Sequence, residues 1–142
     1  MLIDATPEQW IQKLFSGRLE SPDEVMDAGA AAAELAAGPS LGSRPLVDLT
    51  HGIPISPSDV PQIPDPEGFW LGLQKAIARD SSSSILARAD DADHGIPQEN
   101  PQLVAGAIRT VVTAVRSSEP VPPCAQTPLP GLGATCLDPT AP

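Results

Sequence analysis

The chain has 142 residues, with 18 acidic against 8 basic side chains, a formal charge of −10 and a pI near 4.3. That length fits one domain with a modest core, and with 41% apolar and only 18% charged residues at least part of the chain must fold. The acidic balance argues against nucleic acid or an anionic membrane as partner. No apolar run approaches the roughly 20 residues of a membrane span and no leader pattern opens the chain, so a cytoplasmic location is expected.

Taken in chain order, Met1-Leu2-Ile3 is a short apolar run that reads as a strand ending at Asp4. Thr6-Pro7-Glu8-Gln9 places a capping Thr before a first-turn Pro, with Gln at the third position. Trp10, Ile11, Leu14 and Phe15 then share one helical face up to Gly17. Ser21-Pro22-Asp23-Glu24 repeats that start for a second helix, running through Val25 and Met26 to Leu35. Leu46-Val47-Asp48-Leu49 reads as a strand, although nothing in the pattern accounts for an Asp in its middle. Asp65-Pro66-Glu67 opens a third helix with Phe69, Trp70, Leu73 and Ile77 on one face. Ile85-Leu86-Ala87 reads as a third strand. Asn100-Pro101 opens the fourth helix, with a stripe of Leu103, Val104, Ala107, Ile108, Val111, Val112 and Val115, and with Arg109 and Arg116 turned to water.

Strands alternating with helices predict an α/β protein with a parallel sheet of about three strands and four helices. The last 26 residues, from Ser117, hold seven prolines, two acidic side chains and no apolar periodicity, which predicts a disordered extension. The folded domain is therefore expected over residues 1–116 and a Pro-rich tail over 117–142. Cys124 and Cys136 both fall in that tail. With no His nearby they make a poor zinc site, and a disulfide between them closes only a short loop.

The stretch from Ala89 to Arg109 carries the chemistry: a strand, an acidic turn, His94, Gly95-Ile96-Pro97, then a helix opened by Asn100-Pro101. In that order it resembles the catalytic-histidine segment of the α/β-hydrolase family. Met1-Leu2-Ile3-Asp4-Ala5 is similar to that family's sixth strand, residues 6–42 to a cap region of helices, and Pro45 to Gly52 to its seventh strand. The resemblance thus covers 1–116 and only the C-terminal portion of such an enzyme. It implies a hydrolase of a small ester, lactone, epoxide or similar substrate, with no cofactor and no metal.

The family's nucleophile sits in a G-x-S-x-G elbow between strand and helix. Gly38-Pro39-Ser40-Leu41-Gly42 spells that pattern but follows an Ala-rich helix, so it reads as a helix-ending loop. The elbow half is then absent, which points to a truncated gene, a misplaced start codon or a fragment that is not active alone. A second reading is a non-catalytic α/β interaction module or degenerate hydrolase that completes its sheet on a protein partner or on itself. A third is that the chain has no role alone and aggregates through an unpaired edge strand.

Within the resemblance His94 takes the place of the general base, and Asp4 that of the acid that orients it. Asp59 and Asp65 are the alternatives for the acid, Asp65 being equally a helix cap. Asp90, Asp91 and Asp93 crowd His94 with negative charge, but their spacing matches no metal loop. His51 reads as a solvated loop residue or a pocket lining. Trp10, Phe15, Phe69 and Trp70 read as core.

Overall fold

A computed structural model of the chain describes residues 1–7, 9, 10, 13, 18–20, 25–27, 30, 33, 34 and 37–141. Its strands are β1 (Leu2–Ile3), β2 (Arg18–Glu20), β3 (Val25–Asp27), β4 (Leu46–His51), β5 (Ser84–Ala89) and β6 (Ala134–Leu137); its helices are α1 (Pro66–Arg79), α2 (Ile96–Glu99) and α3 (Pro101–Ser117). The chain divides into two units, residues 1–5, 41–54 and 74–142 in one and 6–40 and 55–73 in the other.

The first unit is an α/β arrangement built on a mixed sheet in the order β1-β4-β5-β6. β1, β4 and β5 run parallel, with Leu2 opposite Asp48 and Asp48 opposite Leu86. All six residues of β4 are buried, as a parallel strand covered on both faces requires. Side chains alternate across a strand. Val47 and Leu49 therefore share one face, where they pack with Ile85, Ala87, Leu103, Ala107 and Leu129. β4 leaves the sheet hard against the end of β5. A Cβ on Gly52 would overlap the carbonyl oxygens of Ala89 and Asp90, so only glycine fits that exit.

α3 starts where its sequence says it should. Asn100 accepts a hydrogen bond from the Leu103 N–H at 3.0 Å, with Pro101 in the first turn. Its buried face is rotated from the expected stripe, however. Leu103, Gly106, Ala107, Thr110 and Ala114 are buried, while Ile108, Val112 and Val115 are 44%, 38% and 59% exposed. Small residues let the helix sit close: a Cβ on Gly106 would press on the Leu132 side chain. Close packing, and not greatest hydrophobicity, decides which face is buried.

The expected disordered tail is corrected by the structure. Residues 117–141 return to the sheet: short 3-10 turns at Cys124–Gln126 and Pro130–Leu132 lead into β6, which pairs antiparallel with β5. A Cys124–Cys136 disulfide ties the first turn to β6. Leu129 and Ala134 are buried in the main core, with Val121, Cys124 and Leu132 packed against it. Five non-periodic apolar side chains and a crosslink hold this segment in place of a periodic stripe. The three-stranded parallel sheet accordingly gains a fourth, antiparallel strand, and no domain boundary falls at residue 116.

In the second unit, Trp10 stacks on Phe69 and meets Trp70 edge-on, with ring centroids 5.8 and 5.0 Å apart. Ile63 completes that core, as Trp10, Phe69 and Trp70 were expected to do. Asp65 accepts from the Gly68 N–H at 3.0 Å and so caps α1. Val25–Asp27 is a strand paired antiparallel with Arg18–Glu20, which corrects the expectation that Val25 and Met26 lie on a helix. Of the first two expected helices, Gln9, Trp10, Lys13, Ala30, Ala33, Glu34 and Ala37 are helical. Their remaining positions, including Ile11, Leu14, Phe15 and Leu35, lie outside the described residues.

Candidate functional site: an aspartate between two histidines

Three parallel strands end at one rim of the sheet, the position where open α/β sheets collect functional side chains. Asp4 follows β1 directly, His51 is the last residue of β4, and His94 lies in the loop after β5. Asp4 adopts a left-handed backbone, with φ of 42°. That conformation costs an L-residue of ordinary type roughly 1–2 kcal/mol, and Asp tolerates it best together with Asn. Its own N–H donates to the Leu49 carbonyl at 2.6 Å, so the turn is fastened to β4.

The turn aims a buried carboxylate at the rim, and each oxygen has its own set of donors. Oδ1 accepts from the His51 backbone N–H at 3.0 Å and from the Thr50 hydroxyl at 3.3 Å. Oδ2 lies between two imidazoles, 2.9 Å from His51 Nδ1 and 2.5 Å from His94 Nδ1. His51 Nδ1 also lies 3.0 Å from Oδ1. Burial pushes the Asp4 carboxyl up, but the hydrogen bond and charge of His51, with a hydrogen bond from His94, outweigh it and hold the group below the usual carboxylate range. Asp4 is therefore an ionised acceptor at neutral pH. Both histidines must carry their proton on Nδ1 to bond it, and in the neutral ring that leaves the lone pair on Nε2.

The structure brings Asp4 and His94 together, as the resemblance implies, across 90 residues of sequence. The alternatives belong to the second unit: Asp59 is exposed in a turn beside Ser58, and Asp65 caps α1. Ser40 is an exposed loop residue with no strand before it, so the G-x-S-x-G spelling is no elbow. Two of the acidic neighbours of His94 are tied elsewhere. Asp90 accepts from Thr135 at 3.0 Å, and Asp93 accepts from the Gly95 N–H at 2.6 Å.

His51, expected as a solvated loop residue or a pocket lining, is 3% exposed and bonded to Asp4, whereas the His94 side chain is 69% exposed. The signal was present in the chain: His51 closes a buried parallel strand next to the one that Asp4 closes.

On the other face of β4, Asp48 is fully buried and neither carboxylate oxygen has a hydrogen-bond partner among the described residues. Burial, with the charge of Asp4 added to it, pushes its pKa up to about 7. Gln74, on α1, is also fully buried; its amide donates to the Ala5 carbonyl at 2.9 Å, while its own carbonyl has no partner among the described residues.

No protein-family model, no curated protein and no solved structure matches the chain. Among the described residues, no helix is long and apolar enough to cross a membrane.

Proposed function

We propose that this chain is the C-terminal, catalytic-base portion of an α/β hydrolase acting on a small ester, lactone, epoxide or similar substrate. The observation that carries the reading is the 2.5 Å contact between Asp4 Oδ2 and His94 Nδ1. An ionised, buried carboxylate fixes the imidazole tautomer, and the Nε2 lone pair of an exposed ring is then placed to take a proton from a nucleophile and return it to a leaving group. Asp4 orients and stabilises the imidazolium; it does not itself carry the proton away. No cofactor enters this chemistry.

The nucleophile comes from outside these elements. β1 is an edge strand, paired with β4 alone among the described residues. A parallel strand added beside β1, about 4.8 Å away, would end at the rim where Asp4 and His94 stand. Upstream chain and a partner subunit are equally able to supply it, and the same edge supports the second reading of an interaction module that completes its sheet on a partner. The closed Cys124–Cys136 bridge favours an oxidising compartment over the cytoplasm.

The test uses the native species carrying this chain, purified through an antibody to the His94 segment, with p-nitrophenyl ester hydrolysis and fluorophosphonate labelling as readouts. Replacing His94 with Ala lowers kcat by about 10²- to 10⁴-fold on this reading. Full hydrolysis and labelling by that variant would remove His94 from the mechanism.

A further inference from the structure

A catalytic dyad needs one imidazole on its carboxylate, and Asp4 has two. His51 Nδ1 and His94 Nδ1 meet the same oxygen, Oδ2, at 2.9 and 2.5 Å. Each of the three side chains offers one ligand atom, and those atoms lie within 4.8 Å of one another. They arrive from the ends of three adjacent strands, not from neighbouring positions on one loop.

We propose that Asp4, His51 and His94 form a binding site for a zinc-like divalent transition-metal ion, whose occupancy switches the His94 base off. The regulatory half of this statement rests on the dyad reading above; the binding half does not. Two imidazoles and one carboxylate are the donor set that zinc takes when three protein ligands leave a further position open. Zinc bonds of 2.0–2.1 Å in a tetrahedron set neighbouring ligand atoms about 3.3 Å apart. Both Nδ1–Oδ2 distances would therefore open by less than about 1 Å, and the exposed His94 ring can supply that movement.

The outer shell is already in place. Oδ1 is held by the His51 N–H and the Thr50 hydroxyl, which orients the carboxylate and leaves Oδ2 to the ion. The proton balance is simple. A metal on Nδ1 takes the lone pair there, so each neutral ring moves its proton to Nε2 with no net release. His94 then presents an N–H where the base needs a lone pair, and the carboxylate–imidazole hydrogen bond is replaced by coordination. Hard ions that favour all-oxygen cages, Mg²⁺ and Ca²⁺, are the discriminating controls.

The test is a titration of the full, disulfide-closed chain with Zn²⁺ at fixed pH against a chromophoric chelator, together with ¹⁵N NMR of the imidazoles. His51→Asn is the decisive variant. The asparagine amide nitrogen occupies the place of Nδ1, so it can still donate to Asp4 and spare the fold, but it cannot ligate zinc. His94→Asn repeats this at an exposed position. The expected result is one Zn²⁺ per chain, weakening by about 100-fold or more in each variant, no competition from Mg²⁺ or Ca²⁺, and a shift of both rings to the Nε2–H tautomer. Wild-type zinc affinity equal to that of both asparagine variants would overturn the site. A His94 Nδ1 proton bonded to Asp4 in a chain that binds no zinc would sink the metal proposal and leave the dyad standing. Zinc bound by a chain lacking that proton would keep the binding site and end its regulatory role together with the dyad.

Discussion

Replacing Asp48 with Asn should make the protein more stable at neutral pH and leave it nearly unchanged in acid. Asp48 has no hydrogen-bond partner for either carboxylate oxygen among the described residues, is fully buried, and has a pKa of about 7 against an ordinary value of 3.8. The sign follows from proton uptake. Below the unfolded value both states hold the proton, so Asp48 contributes no pH dependence. Between about 4 and 7 only the folded state holds it, and each rise of one pH unit costs about 1.4 kcal/mol of stability. Above 7 both states are ionised and the loss is complete, about 4 kcal/mol in all. The asparagine amide is of the same size, stays neutral throughout and carries no such slope. The advantage of the variant therefore grows from near zero at pH 4 to about 4 kcal/mol at pH 8. Urea unfolding of both proteins at matched pH, followed by circular dichroism, reads this difference directly, and groups common to both cancel. A gap of equal size at pH 5 and pH 8 would refute the assignment of a neutral, buried acid in β4.

Breaking the Cys124–Cys136 bridge with paired Ala substitutions should cost about 3 kcal/mol, from the loop length alone. Hydrogen exchange should show the loss at β6 amides first, with β4 still protected. Asn100→Ala removes both the cap on Leu103 and the 2.8 Å bond from its amide to the Leu132 carbonyl, for about 1–3 kcal/mol in urea midpoints. Gly52→Ala forces a Cβ into the Ala89 and Asp90 carbonyls and should lower the thermal midpoint more than Gly72→Ala, where a Cβ meets nothing within 4 Å.

The fold was legible wherever local chemistry decides it. Asn100-Pro101 and Asp65-Pro66 each announce a helix start and each delivers one, because a capping side chain and a donor-free first turn act within four residues. β4 and β5 were visible as short apolar runs between turn residues. The C-terminal segment was not visible. Its prolines set a composition that resembles disorder, while the groups that fix it, Leu129, Ala134 and the Cys124–Cys136 pair, act through contacts that no local period records. The buried face of α3 was misjudged for a related reason. A stripe drawn from hydrophobicity picks Val112 and Val115, but close approach at Gly106, Ala107 and Ala114 picks the other side.

At the rim, a resemblance supplied Asp4 and His94 as a pair, and the geometry places them in contact. His51 is placed there by strand register. Leu49 stands opposite Ile3, so Asp4, one residue past that pair, and His51, two residues past it at the end of β4, reach the same rim. Register also relates the two acids of this sheet. Asp4 gathers two imidazoles and is held ionised; Asp48, on the neighbouring strand, has no hydrogen-bond partner among the described residues and its pKa is pushed up to about 7 by burial and by the charge of Asp4. Pairs of titratable groups whose surroundings push them apart mark places where a fold accepts a loss of stability to hold a chosen charge state. Left-handed Asp4, buried His51 and Asp48, unpartnered among the described residues, each depart from the usual local rule. All three fall on β1, β4 or the residue between strand and rim. If Asp48 were merely a tolerated defect, making it permanently neutral would leave the ring tautomers and the zinc affinity of the Asp4 cluster untouched. If the charge on Asp48 is felt at Asp4, the wild type at pH 8, where Asp48 is mostly ionised, and the neutral asparagine variant must give different His94 Nδ1–H signals.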